Sequence, residues 1–137
     1  MVELLVVIAI IGIVAAMALP QMPSSAGTDL DNAARELAAD LRLTQQMTVN
    51  SAGGATPLLF FSNAAPYGYY ISVNNQLIKP RTNFPATVQT SGNPQPVTFS
   101  LDGKPVSNAD MTIVLVNTKR ASRSVIIALM TGRIRIQ

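Results

Sequence analysis

Three regimes of apolar patterning divide the chain. The first is an almost unbroken run, MVELLVVIAIIGIVAAMAL from Met1 to Leu19, in which Glu3 is the one charge. From Leu4 to Leu19 there is no charged residue, amide side chain or proline. The run approaches the ~18 to 20 apolar residues that cross a bilayer as a helix, so residues 1–19 are expected to form a transmembrane or assembly helix. The second regime covers residues 28–52. There Leu30, Ala34, Leu37, Leu41, Thr44 and Thr48 recur at three- and four-residue spacing, widened by Ala33, Ala38 and Met47, which predicts an amphipathic helix with one packing face. Thr28 stands as its cap, Asp29 and Asp31 favour its first turn, and the glycines of Ser51 to Gly54 end it. Arg35, Glu36, Asp40, Arg42, Gln45 and Gln46 are left for solvent or neighbours. Between the two helices, PQMPSSAGTD carries two prolines, two serines and a glycine, and residues 20–27 are expected to be a break or linker.

In the third regime, residues 55–137, the period changes to two. TPLLFF, YGYYISV, QLIK, ATVQT, PVTFS, MTIVLVN, RSVIIAL and RIRIQ are short, rich in β-branched and aromatic residues, and separated by Gly, Pro, Asn and Asp. They predict about eight strands. Tight turns are expected at Asp102-Gly103 and at Thr131-Gly132, where glycine supplies a positive φ. Helices followed by a run of strands give an α+β order rather than alternating βαβ units. The expected fold is a long amino-terminal helix, apolar in its first part and amphipathic in its second, packed on a carboxy-terminal antiparallel β-sheet domain.

Composition narrows the chemistry. The 137 residues include no cysteine, histidine or tryptophan, which removes disulfides, thiol redox chemistry, the usual zinc ligand sets and a Ser-His-Asp triad. Ser122 and Ser124 have no histidine to activate them, and Asp102 and Asp110 are the only carboxylates after residue 60. Paired acid and base catalysis has little material there. The Asp102-Gly103 stretch lacks the ligand series of a calcium loop. No enzyme, metal or other cofactor is expected. Charge is distributed unevenly: two basic against five acidic residues up to residue 60, and eight basic against two acidic beyond it. The basic half points toward a polyanionic partner or an anionic surface.

Two places carry candidate chemistry. Glu3 stands at the mouth of the apolar run. A cleaved secretory signal would put Lys or Arg there, and an ionisable group at the edge of a membrane segment needs a partner from outside that segment. A carboxylate that merely favours the helix dipole is the simpler account. The second place is TGRIRI, Thr131 to Ile136. On a strand Arg133 and Arg135 share one face while Ile134 and Ile136 take the other. Paired guanidinium groups suit phosphate oxygens, and Lys119, Arg120 and Arg123 lie on or just before the preceding strand, which the Gly132 turn should fold alongside. Arginine on the solvent face of an edge strand also guards against aggregation. Tyr67, Tyr69 and Tyr70 could stack on bases, although alternation turns Tyr70 away from the other two.

The stretch VELLVVIAIIGIVAAMALP resembles the amino-terminal helix of type IV pilins and pseudopilins, with Met1-Val2-Glu3-Leu4-Leu5 on the family's pattern from its third residue onward and Pro20 at its helix-kinking proline. ELAADLRLTQQMTVNS, VTFSLDGKP and RSVIIALMTGRIRIQ are similar to the FimT/GspH group of minor pilins and pseudopilins. The resemblance implies a leader peptide with a cleavage glycine and a Phe-Thr pair ahead of Met1, and maturation by a prepilin peptidase with methylation of the new amino terminus. It further implies residence in the bacterial inner membrane, then in a filament of pilin subunits where Glu3 meets a neighbour's amino terminus. FimT proteins of transformable bacteria carry a Gly-Arg-x-Arg motif implicated in DNA binding, which Gly132-Arg133-Ile134-Arg135 matches. The alternative implied is a type II secretion pseudopilin that contacts exoproteins or sister pseudopilins and binds no DNA.

Overall fold

The computed structural model describes residues 2–17, 25–51, 54 and 56–137. Two helices, α1 (Val2–Met17) and α2 (Ser25–Asn50), precede eight strands. These are β1 (Pro57–Ser62), β2 (Gly68–Val73), β3 (Gln76–Asn83), β4 (Val88–Thr90), β5 (Val97–Thr98), β6 (Met111–Asn117), β7 (Ser122–Ile127) and β8 (Ile134–Ile136). They form two antiparallel four-stranded sheets, ordered β3-β2-β1-β5 and β4-β6-β7-β8. The α+β order and all eight predicted strands are present, each within a few residues of its expected place.

Helix α2 begins three residues before the expected cap. Ser25 to Gly27 are helical and Thr28 lies inside the helix, because Ala26 continues the apolar stripe one turn back from Leu30 and is itself buried. The expected linker therefore shortens at its end, and residues 20–24 lie outside the described residues. Asp29 and Asp31 consequently leave the first turn and make tertiary bonds instead. Thr87 Oγ1 donates to Asp29 Oδ2 at 2.9 Å, and Arg123 Nε donates to Asp31 Oδ1 at 2.7 Å.

The buried stripe of α2 lies against both sheets. Leu30, Leu37 and Leu41 join Leu59, Tyr69, Ile71, Val97 and Phe99 of the first sheet region and Ile113, Leu115, Val125, Ile127 and Ile134 of the second. Each such side chain contributes about 1.5–3 kcal/mol on burial. Ala33, Ala34 and Ala38 in the same stripe are also buried, and their small size lets the helix backbone come close to the sheets. Thr44 and Thr48 are accommodated because their hydroxyls donate back to Asp40 O at 2.8 Å and Thr44 O at 3.0 Å. Among the described residues the core cluster runs from Leu30 to Ile134 and is drawn from α2, the two sheets and their connections, so residues 25–137 carry a contiguous core of their own.

Asp40 is not left for solvent. It is 6% exposed, accepting from Tyr69 Oη at 2.6 Å and pairing with Lys79 Nζ at 2.5 Å. Tyr69 is fully buried, and burial first, then the Asp40 carboxylate, pushes its phenol well above the ordinary value of 10.0.

Candidate functional site

The loop between β7 and β8 is fixed by glycine geometry. Gly132 adopts φ +65°, its N–H donates to Ala128 O at 2.8 Å, and Ala128 N donates to Arg133 O at 3.0 Å. A Cβ at Gly132 would stand 1.9 Å from Gly103 O and 2.7 Å from Gln45 Nε2. The two turns expected from the sequence therefore pack on each other. Gln45 of α2 clamps both, donating through Nε2 to Gly103 O at 2.5 Å and Gly132 O at 3.0 Å. Beside them Arg42 Nη2 donates to Ile134 O at 3.3 Å. Gly132 serves the fold here and offers no side chain to a ligand.

Arg133 and Arg135 emerge from this clamp on the face of the sheet turned away from α2. Arg135 is paired in register with half-buried Ile126, and both guanidinium groups are exposed, with no acidic partner among the described residues. Ile134 packs into the core at 7% exposure, whereas Ile136, on the same face, is 40% exposed at the rim.

The other three cations do not gather with this pair. Arg123 is in register with buried Leu115, so it lies on the helix side of the sheet, where it bonds Asp31. Lys119 and Arg120 belong to the β6–β7 turn at the other end of the strands. Asn117 Nδ2 ties that turn to Ala26 O at 3.0 Å, near the start of α2. Seven residues of extended chain, about 23 Å, separate Ala121 from Ala128. Strand pairing brings sequence neighbours into one sheet, but alternation sent Arg123 to the opposite face and strand length carried Lys119 and Arg120 away.

What takes their place was missed in the sequence. Arg35 and Arg42 of α2, with Arg123, Asp31 and Ile136, line a groove of about 510 Å³ between the helix and the β8 side of the sheet. The seven-residue spacing of Arg35 and Arg42 was a usable signal, since it places both on one helix face. Nothing local showed that the face adjoins β8. Elsewhere, Tyr67 is half-buried against the core, Tyr69 is inside it, and Tyr70 stacks on Phe60 with ring centroids 5.3 Å apart. At the Asp102 turn, the Ser100 hydroxyl and then Lys104 hold the Asp102 carboxyl down at about 2. Among the described residues no group of acidic side chains could hold a metal ion.

No protein-family model and no curated protein matches the chain. Solved structures do. Crystal structures of the type IV minor pilin FimU of Pseudomonas aeruginosa PAO1, in two crystal forms, superpose with TM-scores of 0.65 and 0.60 at 21% identity. The matches cover 84% and 79% of this chain and 92% of FimU in each case. The chain has a type IV pilin-like fold.

On this pilin fold α1 has the sequence VELLVVIAIIGIVAAM. Val2, Val6, Val7, Ile8, Ile10 and Ile11 are exposed, each by more than half, and exposed Glu3 stands in the first turn. Among the described residues no helix is long and apolar enough to cross a membrane. The expected anchor of residues 1–19 extends past α1 into Ala18 and Leu19, which lie outside the described residues.

Proposed function

We propose that the chain is a structural subunit of a type IV pilus-type filament, held in the bacterial inner membrane through residues 1–19 and then moved into the filament. The observation that carries this reading is a pilin-like fold joined to an apolar helix whose described large side chains are exposed. Apolar area on that scale is removed from water by lipid or by the helices of other subunits. Glu3 then meets the amino terminus of an adjacent subunit, so that the carboxylate is paired as the helices pack. Prepilin peptidase acts before assembly. Replacing Glu3 by Leu should leave membrane insertion intact and lower the yield of filaments containing the subunit, measured by fractionation and by mass spectrometry of sheared filaments. Normal yield with Glu3→Leu would overturn the assembly role.

A second role in the same subunit is supported by Arg133 and Arg135, exposed and without an acidic partner among the described residues, beside the turn that Gln45 clamps: a sequence-independent hold on DNA during uptake. Two phosphate contacts contribute roughly −2 to the slope of log K against log salt. The fragment 25–137 and its Arg133→Ala/Arg135→Ala variant, compared on labelled DNA at two salt concentrations, test this. Absence of binding by the fragment at low salt would remove the DNA role and leave the assembly role standing, as a pseudopilin of a secretion system would require.

A further inference from the structure

We propose that the groove between α2 and the free edge of β8 is a phosphodiester-binding channel, with Arg35 and Arg42 as its contacts. The inference rests on the DNA reading above and shifts much of the grip from the outer face of β8 to its edge. Among the described residues strand β8 is the last strand of its sheet, paired with β7 alone. Ser124 and Gln137 exchange both backbone bonds. By the alternation of an antiparallel ladder, Ile134 and Ile136 therefore turn their peptide groups to the free edge. Arg42 has taken the Ile134 carbonyl there. The Ile136 N–H is left facing the same side, a donor of the kind that phosphate oxygens accept.

Charge in the groove favours an anion. Its lining holds three guanidinium groups and one carboxylate. The carboxylate, Asp31, is already engaged by Arg123. Arg35 has no hydrogen-bond or acidic partner among the described residues, and Arg42 spends one nitrogen on a carbonyl, which leaves donors on its other nitrogens. Seven residues of helix put the two α carbons about 10 Å apart along the axis. That span exceeds one phosphate group and corresponds to about three nucleotide steps of rise along one strand, so the fit is to a chain of phosphates rather than to a single ion. A backbone lying along the β8 edge has Arg35 and Arg42 on one side and Arg133 and Arg135 on the other. Lys119 and Arg120, at the far end of the sheet, take no part.

The test is fluorescence anisotropy of fragment 25–137 with a labelled single-stranded oligonucleotide and with its duplex, across a salt series. The Arg35→Gln/Arg42→Gln variant is expected to bind at least about tenfold more weakly and to lower the salt slope by about 2. Arg35→Gln alone removes no hydrogen bond of the fold and should lower the slope by about 1. Loss on the single strand, the duplex or both supports the channel and tells which form enters it. Full affinity and slope in both groove variants, with loss only in Arg133→Ala/Arg135→Ala, overturns the channel and leaves the DNA reading intact. A Lys119→Gln/Arg120→Gln variant that weakens binding as much as the groove pair also overturns it, because attraction is then to net charge. No binding by the unaltered fragment at low salt overturns both readings.

Discussion

Replacing Gly132 by alanine tests the clamp directly. The methyl group enters where φ is +65° and where Gly103 O stands 1.9 Å away. A left-handed backbone at a non-glycine residue costs about 1–2 kcal/mol. Displacing backbone atoms to relieve an overpacked contact costs about 1–3 kcal/mol more. The same methyl lies 2.7 Å from Gln45 Nε2, and losing one of the Gln45 bonds adds about 0.5–1.5 kcal/mol. The expected total is about 2.5–6.5 kcal/mol. Gly92 supplies the control, since it has φ +74° but nothing within 4 Å of an added Cβ, and Gly92→Ala should cost only the conformational part, about 1–2 kcal/mol. Urea unfolding of fragment 25–137 measures both, and with slopes of about 1–3 kcal/mol per molar the two midpoints should separate clearly. Equal destabilisation within about 0.5 kcal/mol would refute the packing of one turn on the other. The result also governs DNA experiments, in which a Gly132 substitution reports on the turn rather than on a phosphate contact.

Three further outcomes follow from the same geometry. Gln45→Ala removes donors to Gly103 O and Gly132 O and should cost about 1–3 kcal/mol, with faster hydrogen exchange at the Gly132 amide by NMR; unchanged exchange there would count against the clamp. The raised Tyr69 ionisation means that stability from this group is fully present below pH 10 and is lost as pH rises above it, because the unfolded phenol ionises first. Unfolding free energy should fall by about 1.4 kcal/mol per pH unit there, and Tyr69→Phe should abolish that slope while costing about 1.5–3 kcal/mol at neutral pH, the range for a bond to a charged acceptor; persistence of the slope would contradict the assignment. The Asp102 carboxyl should titrate near 2 by NMR and move up in Ser100→Ala, its depressed value meaning that the turn's small contribution is present above the ordinary carboxylate range and fades as pH falls through it. An unchanged midpoint in Ser100→Ala would remove the hydroxyl as the main cause.

The sequence by itself determined what depends on near neighbours. The stripe from Leu30 to Thr48, the alternation through eight short strands and the glycines at 103 and 132 were all readable, because helix periodicity, strand pleat and positive φ are settled within a few residues. So was the shared face of Arg133 and Arg135. Tertiary structure decided which surfaces meet. Asp40 stands one position before Leu41 of the stripe and looked solvated until Tyr69 and Lys79, 29 and 39 residues away, closed over it. Gln45 reads as a polar helix position, yet its amide is a bond between turns 58 and 87 residues distant. The basic half of the sequence looked like one patch. Pleat and strand length dispersed it, while α2 brought Arg35 and Arg42 of the acidic half to the edge of β8. Charge adjacency along the chain is one-dimensional, and the choice of which sheet edge a helix crosses is made by the fit of the whole apolar core.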